Sequence, residues 1–535
     1  MNLVICADGT WNTPDMRENG IPAPTNVFKF FNCVSRFTTT TDDKQERYYH
    51  QGVGTEGTVI RRGFDGGTGT GLGKNIKSAY RWLAATYTPG DHIYLIGFSR
   101  GAYTVRSLGG MISRCGLAVL PWSNNPKQAW DAVDRIYEEY RHKKASTIQA
   151  SADLPFHHAT AGELPVQKTP IHFIGVWDTV GSLGIPDDFA LLDKFDSIKR
   201  HGFHDTEISD IVSHARHAVA IDERRQNFVP TLWRPNAKVD MQQVWFPGVH
   251  ADVGGGYSRC GLSDGALLWM IKEAQKVGLH FDESSVSQIR PNERDVLHDS
   301  VQGFFKQMKT RPRGIPHFDH AARSGEVHGS AYNRQVAQSL TQGEYWRQRQ
   351  IPAEVNIYAK ELWNNTGIFL EAGKPYLLTA TGEWMDASIK CSPAGASDGS
   401  FQPAELIYGL GNLAGGLQSL IRKVAGNERR SVPMARRLPG APWFALIGVV
   451  ANDYPPPPLQ PPQDAKVEPL PHETFVIGSG TTFVPSASGY LFCFANDAWH
   501  FYGNNRGSVR LRVEALPKPA KPTPAKSSKP PKPNG

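Results

Sequence analysis

Apolar and polar positions change texture along the chain. Between residues 1 and 280, short apolar runs of strand length alternate with stretches whose apolar residues recur at helical spacing. The runs at 2–7, 46–50, 93–96, 171–176 and 243–246 predict strands. Residues 26–36 (with Thr25 as N-cap), 75–87, 102–115, 127–144, 209–222 and 263–277 predict helices. Strands alternating with helices predict an α/β unit, a mostly parallel sheet covered on both faces. Residues 281–350 are more polar and mixed, and are read as a cap or peripheral helices on a catalytic unit spanning 1–350 with its core at 1–280. From 351 to 516 apolar and polar positions alternate between glycine turns, the pattern of an all-β sandwich. Within it, 403–430 reads as a helical insertion rich in Leu, Ala and Gly, and 455–471 as a proline-rich loop. Residues 517–535, Lys/Pro/Ala/Ser, read as a disordered tail.

Length and composition sharpen this picture only slightly. The 535 residues, 40% hydrophobic and 20% charged, suffice for about two to four domains with sizeable cores. The net charge of +7 is concentrated in the tail, where Lys518, Lys521, Lys526, Lys529 and Lys532 stand without an acid. The rest carries about +2, which gives no basis for nucleic-acid binding. Six cysteines without C-x-x-C or regular spacing read as reduced, mostly buried thiols. Met1 leads straight into a strand with Asp8 close behind, so no secretory signal is expected and the chain reads as made in the cytoplasm. No apolar run reaches the roughly 18–20 residues of a membrane span.

The chemistry centres on Gly97-Phe98-Ser99-Arg100-Gly101, between a predicted strand and a predicted helix. In that context G-x-S-x-G forms a nucleophile elbow, a tight turn that lifts a strained serine above the sheet at a helix N-terminus. A serine nucleophile needs a base, a group to orient it and donors for the oxyanion. Asp178 ends the best strand after Ser99 and His250 follows the next good one, the Ser, Asp, His order of α/β-hydrolases. Asp205, Asp222 and Asp252 are rival orienting acids, and His204, His214 and His217 rival bases. The Arg100 amide is the first expected oxyanion donor and the Gly9 or Thr10 amide the second. Three other features are read conservatively. The loop before Asn75 fails the phosphate-loop template, because Thr68 replaces its first glycine and Asn75 its Ser/Thr. His214 and His217 on one predicted helix, with Asp205, offer zinc too few well-spaced ligands. Residues 222–225 (DERR) read as a surface or structural ion-pair network.

The segments CADGTWN, TNV, YYHQGVGT, NIKSAYRWL, GFSRGAYTVRSLGG, FIGVWDTVG, FHDTE, ARHAVAIDERR and QVWFPGVHADVGGGY resemble the α/β-hydrolase family that includes the type VI secretion lipase effectors. The resemblance covers residues 1 to about 280. It implies a triad at Ser99, Asp178 and His250 and phospholipase A-type ester hydrolysis with no catalytic cofactor. It also implies export by the secretion machine, a partner from that machine and a cognate immunity protein. The other readings are an esterase acting on small or polysaccharide acyl esters, and a glycan-binding protein with an inactive hydrolase unit. NTGIFLEAGKPYLLTATGEW and NDAWHFYGNNRGSVRLRV resemble the calcium-dependent galactose-binding bacterial lectin. That resemblance implies calcium held by Asp497, the Phe501 carbonyl, Asn504 and Asn505, and a glycan or phospholipid membrane surface as the partner of this region.

Overall fold

The computed structural model describes residues 1–9, 12–36, 44–52, 70–120, 126–142, 154–157, 168–180, 207–318, 325–337, 342–396, 436–453 and 472–517. The expected insertion at 403–430, the proline-rich loop at 455–471 and the tail from 518 lie outside them, as do Thr10, His204 and Asp205. The chain divides into two compact units, Met1–Arg347 with Asp453–Leu470, and Gln348–Asn452 with Pro471–Gly535.

The first unit is built on a six-stranded sheet: β1 (Asn2–Ala7), β2 (Gln45–His50), β3 (His92–Phe98), β4 (Ile171–Trp177), β5 (Val212–Ala220) and β6 (Asp240–Phe246). The strand order is β6-β5-β4-β3-β1-β2 and every pairing is parallel. Alternation sorts the strand side chains between two cores. Leu3, Ile5, Ile93, Leu95 and Ile174 pack with α2 (Thr70–Thr86), α3 (Arg100–Cys115) and α4 (Pro126–His142). Val4, Cys6, Tyr94, Ile96 and Phe173 pack with α1 (Asn26–Cys33) and α6 (Gly261–Lys276). Both faces are thus covered, as a parallel sheet requires. Thr25 caps α1 as expected, its hydroxyl accepting the Phe28 N–H at 3.2 Å.

Residues 209–222 were expected to form a helix; they contain β5 instead. Three alanines and a run of polar residues mimic a helical face. His214, Arg216 and His217 instead find non-local partners: Asp240 for His214, Asp240 and Glu273 for Arg216, and Gln243 for His217. On a strand, positions three apart face opposite sides, so the zinc reading of His214 with His217 fails on geometry. Among the described residues no cluster of three His, Cys, Asp or Glu could hold a metal ion. Within 281–350 the described helical pieces are only α7 (Glu283–Val286), α8 (Gly329–Val336) and a 3-10 turn at Gly303–Gln307. All six cysteines are free thiols, five of them buried. No helix of the described residues is long and apolar enough to cross a membrane.

The second unit holds two antiparallel sheets. One contains β7 (Ala353–Tyr358), β9 (Tyr376–Thr381), β10 (Trp384–Asp386), β11 (Ile389–Cys391), β14 (Gly480–Phe483) and β16 (Asn505–Ala515). The other contains β8 (Asn364–Leu370), β12 (Leu446–Ala451), β13 (Glu473–Val476) and β15 (Gly489–Ala495). Ile357, Leu378 and Leu511 from the first sheet share one core with Ile368, Leu446 and Leu491 from the second, which makes the unit a sandwich.

Candidate active site

The carboxyl edge of the parallel sheet, where open α/β sheets place their ligands, gathers the candidate residues. Ser99 follows β3 and caps α3 at φ 55°, ψ −122°, a positive-φ conformation that costs a non-glycine residue on the order of 1–3 kcal/mol. The flanking glycines make that turn possible. A Cβ on Gly97 would meet the Gly101 carbonyl oxygen at 2.6 Å, and one on Gly101 would overlap the Ala7 carbonyl oxygen. The Ser99 N–H donates to the Trp177 carbonyl at 3.1 Å, which seats the serine on the residue before Asp178.

Asp178 directly follows β4, fully buried, at φ 35°. Its Oδ2 accepts His250 Nδ1–H at 2.5 Å and its Oδ1 accepts the Ala220 N–H at 2.9 Å. A carboxylate can only accept, so Nδ1 of His250 carries the proton and Nε2 is the basic nitrogen. Burial opposes ionisation of Asp178, but the charge of Arg313 and the hydrogen bonds from His250 and Arg313 hold its carboxyl well below the usual range. Burial also pushes His250 below its ordinary value against the pull of Asp178, which keeps the imidazole a neutral base at pH 7. His250 opens the short helix α5 (His250–Gly254), and its ring packs 4.6 Å from that of Phe98, the residue before the serine.

The rival residues have other work. Asp222 accepts from Tyr345, Trp346 and the Gly248 N–H, bracing the turn before His250. Asp252 accepts from the Val249 N–H and from His298. His214 pairs with Asp240, and His217 accepts the Thr179 N–H. The 222–225 network is largely buried. Glu223, 1% exposed, pairs with Arg225 at 2.8 Å and accepts the His250 N–H at 3.2 Å. Burial raises the Glu223 carboxyl, yet the bonds and charge of Arg225 bring it down to about 2, so this network is a structural support under the base.

Around the oxyanion, the Arg100 amide heads α3 beside the serine. The Gly9 N–H does not point there: it donates to Asp8 Oδ1 at 2.7 Å, because the carboxylate captures the nearest amide. Gly9 instead gives clearance, since a Cβ at that position would lie 3.2 Å from the Ser99 Cβ. The Asp8 carboxylate also accepts from Thr25 Oγ1 at 2.6 Å, Tyr49 Oη at 2.8 Å and Asn12 Nδ2 at 3.4 Å. Three separate sequence motifs thus converge on one buried acid that composition and spacing did not single out.

Residues 1–273 match the family model of the type VI secretion Tle1-like phospholipase effectors, catalytic domain. The chain belongs to that family. The matched segment holds all six strands of the parallel sheet. The uncharacterized protein YEL023C of Saccharomyces cerevisiae is 34% identical over 251 residues, 44% of this chain and 33% of its own length. A structure of the Tle1 effector bound to the VgrG spike of a type 6 secretion system matches at 14% identity, TM-score 0.29, over 48% of this chain and 51% of that one. The EclA N-terminal domain, a PllA-like lectin, matches at 16% identity, TM-score 0.18, over 30% of this chain and 95% of its own. The chain thus spans about a third of the curated relative and half of the Tle1 chain.

In the second unit, two of the expected calcium ligands touch: Asn505 Nδ2 donates to Asp497 Oδ2 at 3.0 Å. Asn504 Nδ2 donates instead to Asp386 Oδ1 at 2.5 Å, a carboxylate the sequence reading left out. Asp386 is the register partner of Asn505 across β10 and β16. Phe501 sits just before the turn, its N–H on the Ala498 carbonyl at 3.1 Å. Desolvation raises both acids, Asp497 to about 6. The Asn505 Oδ1 atom is buried without a partner.

Proposed function

We propose that the chain is a serine carboxylic-ester hydrolase that removes an acyl chain from phospholipids. The observation carrying this reading is the 2.5 Å Asp178–His250 pair, buried at the carboxyl edge beside a serine held at φ 55°. In the first step Ser99 Oγ bonds to the ester carbonyl carbon, its proton passes to His250 Nε2, and the carbonyl electron pair moves onto oxygen beside the Arg100 amide. Collapse breaks the bond to the alcohol, which takes the proton from His250, and water repeats the sequence to free the fatty acid. Asp178 orients the imidazole and stabilises its cation. Family membership favours delivery to a target membrane by a type VI secretion spike component, with an immunity protein guarding the producer. The test is labelling with a fluorophosphonate, in which Ser99 Oγ displaces fluoride. One phosphonyl group on the Ser99 peptide, lost in Ser99→Ala and strongly slowed in His250→Ala, is the expected result. Unchanged labelling of Ser99→Ala would contradict the assignment.

A second reading concerns calcium. The unpartnered, buried Asn505 Oδ1 beside the Asp386 and Asp497 carboxylates suits a hard cation that takes oxygen ligands. Asp386, Asp497, Asn504 and Asn505 would hold it, with the Phe501 carbonyl supplying a further oxygen. Calcium there would neutralise the acids and fix the loop that a glycan or lipid surface would meet.

A further inference from the structure

Arg313 lies beyond the segment that matches the family, in the stretch from 281 to 350 to which the sequence assigns no chemistry. It comes over the site because its strand-like segment is tied to the loop after β5. The Gln226 N–H donates to the Lys309 carbonyl at 3.1 Å and the Arg311 N–H to the Arg224 carbonyl at 2.7 Å. Arg225 and Thr310 form an isolated bridge between the same two stretches.

From there the Arg313 side chain, 4% exposed, enters the site with its guanidinium against Asp178. Nη1 donates to Asp178 Oδ1 at 2.7 Å and to the Ala220 carbonyl at 2.6 Å. Nη2 donates to Asp178 Oδ2 at 3.0 Å and to the Phe228 carbonyl at 2.5 Å. All four Nη hydrogens are used, two on each side of a bidentate pair. We infer that Arg313 is a positioning residue for the triad, clamping both Asp178 oxygens so that Oδ2 meets His250 in one fixed orientation. This inference rests on the triad reading above.

The geometry separates this role from plain packing. A buried carboxylate held only by the imidazole and one backbone amide is free to turn its plane, and that change releases the imidazole from its fixed orientation. The guanidinium prevents this, and its fork fits two carboxylate oxygens where a lysine ammonium fits one. Its positive charge also opposes protonation of His250 through the shared carboxylate. The other charged and titratable groups acting on this pair are Glu223 and Arg225 after β5 and His217 on β5, with Arg106 of α3 acting in turn on His217; none changes in the variants below. Losing the Arg313 cation alone therefore makes imidazolium easier to form, and the acid limb of activity moves to higher pH.

The experiment uses the full chain, with kcat and KM on p-nitrophenyl butyrate and the rate of fluorophosphonate labelling of Ser99, each from pH 5 to 9. Ser99→Ala and Asp178→Asn come first, and wild-type turnover in both would remove the triad itself rather than the role of Arg313. With the triad standing, Arg313→Met is expected to lower kcat about 10²-fold with little change in KM. It is also expected to raise the acid limb by about one pH unit in both turnover and labelling. Arg313→Lys keeps a cation, so its limb stays in place while kcat still falls. An unmoved limb in Arg313→Met overturns the inference, as does wild-type kcat in Arg313→Lys. Should Arg313→Met not fold, the lysine variant decides alone.

Discussion

Ser99 and His250 are seated by residues that carry no chemistry in the proposed reaction. His217 is one of these: fully buried on β5, it accepts the Thr179 N–H at 3.1 Å through Nε2, holding the chain just past Asp178. Its Nδ1–H faces Gln243 Oε1 at 3.2 Å, so both ring nitrogens are committed to the neutral tautomer. Burial first, then the charge of Arg106, push it down to about 3. An unfolded imidazole titrates near 6.5. Between those values the unfolded chain holds the extra proton, so this part of the stability is complete above about pH 6.5 and is lost as pH falls toward 3. At pH 5 the loss from this residue is about 2 kcal/mol. Denaturant midpoints measured from pH 7.5 to 5 should fall in the wild type and fall less steeply in His217→Gln. Parallel slopes would show that His217 does not titrate in this way.

At the scale of elements, most of the catalytic sheet was legible because its strands are nearly pure apolar runs bounded by turns. The nucleophile turn was legible for the same local reason: Gly97 and Gly101 answer a steric demand within five residues. β5 was not, since its polar positions are satisfied by residues of β6 and α6 that no local pattern announces. Arg313 and Asp8 were missed for the same reason, their partners being brought together only by the closed fold. Asp386 escaped because it acts from β10, across the sheet from the loop that carries the other calcium candidates. If that cluster takes calcium, the thermal midpoint of the full chain should rise with added Ca²⁺, by about 2.7 kcal/mol of stabilisation at a hundredfold excess over Kd. Asp497→Asn and Asp386→Asn should each abolish the rise. A midpoint indifferent to Ca²⁺ and to its chelator would discard the cation.

At the scale of the whole molecule, two units with separate cores carry separate candidate sites: a parallel sheet with Ser99, Asp178 and His250 at its carboxyl edge, and a sandwich that brings Asp386 and Asp497 to Asn504 and Asn505. The family match covers the sheet and stops before Arg313, whose guanidinium nonetheless binds Asp178. The central claim is that this unit frees fatty acid from phospholipid through Ser99. Its most direct measurement is fatty-acid release from phosphatidylethanolamine and phosphatidylglycerol vesicles by the wild type and by Ser99→Ala at equal concentration. Release by the wild type, reduced in Ser99→Ala by on the order of 10⁶-fold or to background, is the predicted result. Equal release by both proteins, or none by either while a short ester is still cleaved, would contradict it.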